Sequence, residues 1–153
     1  MSLPPSAEPL SAPLLARALC RSLAQFGYRS LVEFPLANGR RADLLALGKG
    51  GDFMIVEIKT TVADFRSDRK WPLYRSFADR FAFAVPRGFA LALIPEECGL
   101  ILADPFGAEF LREGRLSPLN ASRRRALTLS FARIAAARLA HKLDPEAVHS
   151  GEA

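Results

Sequence analysis

A chain of 153 residues, half of them hydrophobic, can bury a core within one domain and is too apolar to be disordered throughout. Its formal net charge of +5, with arginine far commoner than lysine, suits an anionic partner such as nucleic acid. Two cysteines exclude a disulfide framework, Arg or Pro interrupts the longest apolar runs, and the N-terminus lacks the basic-then-apolar order of a signal peptide, so a cytoplasmic protein with no membrane span is expected.

Residues 1–10, with Pro4, Pro5 and Pro9, read as a loose tail. Ser11 is a suitable N-cap for a helix running to Phe26, with Leu15, Leu19, Leu23 and Phe26 on one face and Gly27 as the closing glycine. Arg17 and Arg21, four apart, read as a solvated face. A first strand is expected from Tyr28 to Leu36. Asn38-Gly39 then signals a two-residue hairpin into a second strand ending at Leu47. Gly48 to Asp52 forms the next hairpin connection, and Phe53 to Val56 is the apolar body of a third strand.

That third strand ends in Glu57-Ile58-Lys59. Side chains alternate across a sheet, so Glu57 and Lys59 leave from one face and Ile58 from the other. If Leu47 pairs with Phe53, Asp43 falls opposite Glu57, with Cβ atoms about 4.5–5.5 Å apart. Two carboxylates at that distance repel unless a divalent cation lies between them. Magnesium and manganese take carboxylate oxygens in this way and keep several waters. A two-residue loop at Asn38-Gly39 would set Glu33 opposite Leu44, on the face away from Asp43, unless a bulge intervenes.

Thr61 and Asp64 form a capping arrangement for a short helix in which Asp64 and Asp68 share a face and which Pro72 breaks. Arg66, Arg69 and Lys70 surround those acids, and Trp71 follows. Two readings stand side by side: a surface that grips a nucleic-acid backbone and stacks a base, or a surface helix with internal ion pairs and Trp71 in the core. Further strands are expected at Phe81–Val85, Phe89–Ile94 and Gly99–Ala103, with a turn at Asp104–Gly107 and a return over Ala108–Arg112. Ser122 should cap a last helix over Arg123–Lys142, with Leu127, Phe131, Ile134 and Leu139 as apolar positions. Its cations, Arg123, Arg124, Arg125, Arg133, Arg138 and Lys142, read as a solvated basic face, with phosphate binding as the alternative. His141 and His149 stand isolated near the C-terminus.

Asp43, thirteen residues, then Glu57-x-Lys59 resembles the PD-(D/E)xK nuclease motif, with Ala42-Asp43 in place of the usual Pro-Asp. The resemblance implies an α/β restriction-endonuclease-like core, a mixed central sheet flanked by helices. It also implies that Asp43 and Glu57 hold the metal and Lys59 sits beside the attacking water. Many nucleases of that superfamily carry a further acid in the first helix; this one has none there. The set Leu36-Ala-Asn-Gly-Arg-Arg-Ala-Asp43, Ile55-Val-Glu-Ile-Lys59, Ala63-Asp-Phe-Arg66, Asp68-Arg-Lys-Trp-Pro72, Asp79-Arg-Phe-Ala-Phe-Ala-Val-Pro86 and Gly99-Leu-Ile-Leu-Ala-Asp104 resembles, as a whole, the MmcB family of bacterial DNA repair proteins. This resemblance implies a role in DNA repair or damage tolerance.

The expected organisation is therefore one domain over residues 11–143 between tails at 1–10 and 144–153. Asp43, Glu57 and Lys59 are the candidate catalytic residues, and magnesium or manganese the candidate cofactor. Arg41, Asp64, Asp68, Arg69, Lys70 and Trp71 are the candidate substrate border. DNA is the expected partner, with repair or translesion polymerase proteins as others. Two alternatives remain: a nuclease-like fold that binds DNA or a polymerase complex without cutting, and an ion-paired cluster of Arg41, Asp43, Glu57 and Lys59 in an ordinary α/β protein.

Overall fold

The computed structural model describes residues 10–146; the expected tails lie largely outside the described residues, and His149 wholly so. The chain divides into two compact units, one up to Pro118 and one from Leu119 onward. The first unit carries a six-stranded mixed sheet whose spatial order follows the chain. The strands are β1 (Arg29–Pro35), β2 (Arg41–Leu47), β3 (Phe53–Ile58), β4 (Arg80–Val85), β5 (Gly99–Asp104) and β6 (Gly107–Arg112). β1, β2 and β3 form an antiparallel meander, β3, β4 and β5 run parallel, and β6 returns antiparallel to β5. The sheet is flanked on one face by α1 (Ala12–Gln25). Ser11 accepts a hydrogen bond from the Leu14 N–H at the start of this helix, and Gly27, at φ 88°, takes the left-handed turn after it.

The sheet's two faces carry different side chains. Leu44, Ala46, Val56, Ile58, Ala82, Ala84 and Ile101 form one buried cluster with Leu15, Leu19 and Leu23 of α1. The alternate positions of the central strands, Leu45, Ile55, Phe81 and Phe83, are buried as well. Parallel strands buried on both faces read as continuous apolar runs, as β3 and β4 do. The parallel β3–β4 connection contains α2 (Val62–Ser67) and a 3₁₀ helix, Trp71–Phe77. Buried Asp79 ties the two strand starts together: its carboxylate accepts from the Phe53 N–H at 2.7 Å, and its own N–H donates to the Phe53 carbonyl.

Four expectations about local structure are corrected. The β1–β2 loop has three residues, not two, because the Leu36 N–H donates to the Arg40 carbonyl and Gly39 takes a left-handed φ of 82°. Val32 therefore faces Leu44 and Phe34 faces Ala42, so Glu33 lies across from Asp43, with a left-handed φ of 48°. Leu91–Leu93 is a 3₁₀ turn rather than part of a strand; a short apolar run does not distinguish the two by pattern. Pro72 opens the 3₁₀ helix instead of breaking α2, which has already ended at Ser67. In the second unit, α3 (Ala121–Leu143) is capped by Asn120, whose side chain accepts from the Arg123 N–H at 2.8 Å, and not by Ser122.

Candidate functional site

The Leu47–Phe53 pairing sets the β2–β3 register down to Leu44 and Val56. The next residues along, Asp43 and Glu57, interlock through their side chains. The Asp43 N–H donates to Glu57 Oε1 at 3.0 Å, and the Ile58 N–H donates to Asp43 Oδ2 at 2.8 Å. Each carboxyl thus satisfies a backbone donor of the opposite strand. Alternation with Val56 and Ile58, which pack toward α1, places Glu57 on the opposite face.

Glu57 is only 4% exposed. Burial, and after it the charge of Asp43, push its carboxyl up to about 8, although the Asp43 N–H and the Lys59 ammonium work in the other direction. Lys59 follows Glu57 by two residues, and its backbone N–H donates to the Ala84 carbonyl. Its ammonium is ion-paired with Asp68 Oδ2 at 2.7 Å, both side chains being largely buried. The other Asp68 oxygen accepts from the N–H groups of Lys70 at 2.9 Å and Trp71 at 3.1 Å. Burial opposes the charged form of Asp68, yet the bonds from Lys59, Lys70 and Trp71 together hold its pKa below the usual carboxylate value.

Asp68 therefore organises the loop between α2 and the 3₁₀ helix and anchors Lys59. Asp68→Ala removes the acceptor for two backbone N–H groups and leaves Lys59 unpaired. A loss of about 1–2 kcal/mol of stability is expected by urea denaturation; an unchanged midpoint would contradict this role.

The remaining candidates border this cluster in different ways. Asp64 is exposed, accepts from the Thr60 hydroxyl at 3.1 Å, and has its own N–H capped by Thr61. Arg41, Arg69 and Lys70 are exposed and make no ion pair among the described residues. Trp71 stacks on Phe81 with centroids 5.6 Å apart and meets the edge of Phe83 at 5.3 Å. Its ring is thus part of the aromatic layer over β4 while remaining partly exposed.

Tyr74 belongs to the site, although no sequence motif marks it. In a 3₁₀ helix, residues three apart eclipse, so Trp71 and Tyr74 both stack on Phe81. The Tyr74 hydroxyl donates to the Arg41 carbonyl at 3.1 Å. Burial and then the charges of Glu57, Asp43 and Asp68 raise its pKa. The signal that could have found it is the Trp71–Tyr74 spacing, once the segment is read as 3₁₀.

A cavity of about 330 Å³ reaches Asp43 and is lined also by Ala16 and Arg17 of α1, Val32, Glu33 and Ile58. Arg17 and Glu33 thus share this cavity with Asp43, while Glu57 does not line it. Among the described residues, no three or more His, Cys, Asp or Glu side chains come together in a metal-holding group. The donor set still fits a hard divalent cation. Two carboxyls sit on adjoining strands, one oxygen of each is used by a backbone N–H of the other strand, and such cations are commonly held by one or two carboxylates plus water and phosphate oxygens.

Residues 5–146 match the family model described as DNA repair protein MmcB-like. A solved structure of a protein of unknown function from Silicibacter pomeroyi is similar, with a TM-score of 0.88 and 37% identity over 96% of this chain and 99% of that chain. No curated protein matches.

Proposed function

Because the chain belongs to the MmcB-like family of DNA repair proteins, we propose that Asp43, Glu57 and Lys59 form a PD-(D/E)xK-type site for divalent-metal-dependent hydrolysis of DNA phosphodiesters. The observation that carries this reading is the interlocking of Asp43 and Glu57 at the end of the β2–β3 ladder, each carboxyl bonded to a backbone N–H of the opposite strand. Those bonds come at a cost, because Glu57 is buried beside the charge of Asp43, and both burial and that charge raise its pKa.

Asp43 and Glu57 would hold magnesium or manganese. The bound metal would supply a water of lowered pKa and offset charge on the phosphate. Lys59 offers an ammonium on the same face as Glu57, and a phosphate oxygen would compete with Asp68 for it. Arg41, Arg69 and Lys70 would meet flanking phosphates.

The test is cleavage of single-stranded, duplex, flap and junction DNA with magnesium or manganese, by wild type and Glu57→Gln. Cutting by wild type alone is expected. Equal cutting by both would assign the activity to another site or a contaminant.

A second reading, a DNA- or polymerase-binding module that does not cut, is favoured by the tight Lys59–Asp68 pair and by the lack of an acid in α1. It predicts no cutting by wild type. If phosphates are the contacts, log affinity should fall with log salt at about −0.9 per neutralised phosphate on duplex DNA. Flat salt dependence would point to a protein partner.

A further inference from the structure

The helix α3 is apolar on more than one side. Leu127 and Phe131 are buried. A different set, Leu129, Ala132, Ala136, Leu139 and Leu143, recurs at alternating steps of three and four residues. That spacing is a heptad seam along one face of a helix. Its three leucines are 56%, 59% and 77% exposed. Arg125, Arg133 and Lys142 are exposed on the same helix and make no ion pair among the described residues. No Asp or Glu occurs between Ala121 and Leu143.

We propose that this face of α3 docks an acidic amphipathic helix of a partner protein. Three occupants use the surface differently. A second copy would bury the leucines but would set cations against cations in either orientation, with no acid in the helix to offset them. DNA would engage the cations and leave the leucines without a role. An acidic amphipathic helix uses both, since its apolar stripe fills the seam and its carboxylates meet Arg125, Arg133 and Lys142. This inference does not depend on the Asp43–Glu57 reading.

The full chain should be tested with a labelled 21-residue helical peptide, about three heptads at the spacing of a coiled-coil seam. One version carries leucine at the seam and glutamate at the flanking positions; the other carries lysine at those positions. Fluorescence anisotropy should show binding of the glutamate peptide. The lysine peptide should bind about tenfold more weakly or worse, and Leu139→Gln should cost about tenfold. Both positions at which the variants are made, Leu139 and Leu143, are exposed, so Leu139→Gln and Leu143→Gln should keep the wild-type circular dichroism spectrum. Failure to bind the glutamate peptide, or equal binding of both peptides, would overturn the proposal. So would concentration-dependent self-association abolished by Leu139→Gln, which would assign the seam to a second copy. Loss of duplex DNA affinity in Leu139→Gln would assign it to nucleic acid.

Discussion

Lys59→Ala is expected to lower the rate of DNA cleavage by about 100- to 1000-fold, the usual cost of removing one preorganised group that stabilises developing charge. The substitution leaves Asp43 and Glu57 and their backbone hydrogen bonds in place, so divalent-metal binding should survive. It also releases Asp68 from its 2.7 Å partner. Asp68 keeps the N–H groups of Lys70 and Trp71, so folding should be little affected. Single-turnover cleavage beside a metal titration separates the two effects. A wild-type rate in Lys59→Ala would remove the lysine from the chemistry, while loss of metal binding would mean that it shapes the acid pair.

The second large effect is on stability and its pH dependence. In metal-free buffer the Glu57 carboxyl, raised from 4.5 to about 8, stays protonated in the folded protein where the unfolded chain has already lost that proton. Stability from this group is therefore fully present below about pH 4.5 and is lost as pH rises toward and through 8. Glu57→Gln keeps an acceptor for the Asp43 N–H and carries no charge at any pH. The variant should match wild type near pH 5 and exceed it at pH 9. A gap on the order of 2–4 kcal/mol is expected, since each tenfold difference in proton affinity between the folded and unfolded states corresponds to about 1.4 kcal/mol. Chemical denaturation at the two pH values measures it. A gap that is absent, or that favours wild type at high pH, would show that the buried pair is not strained by its charge.

Much of the site was legible because it rests on one hairpin. The glycines around Lys49 bound a tight connection, and the Leu47–Phe53 pairing then sets Asp43 against Glu57 by counting. The neighbouring hairpin misled by one residue. Asn38-Gly39 reads as a two-residue loop, but Ala37 joins it, and one step of register carries Glu33 across from Asp43. The partner of Lys59 was hidden for a different reason. By spacing alone Asp68 continues α2 beside Asp64, but α2 ends at Ser67, and Asp68 turns its carboxylate to the following backbone and to Lys59. The 3₁₀ conformation that brings Tyr74 onto Phe81 depends on packing over β4, which no local pattern encodes.

Titration calorimetry with manganese at pH 8.5, on wild type and Glu57→Gln, tests the acid pair most directly. At that pH the Glu57 proton competes least with a cation. Wild type should release or absorb measurable heat with saturation near one ion per chain, binding should weaken as the pH is lowered to 6, and Glu57→Gln should bind far more weakly. Heat that is absent in wild type, or identical in the two proteins, would contradict a metal site at Asp43 and Glu57.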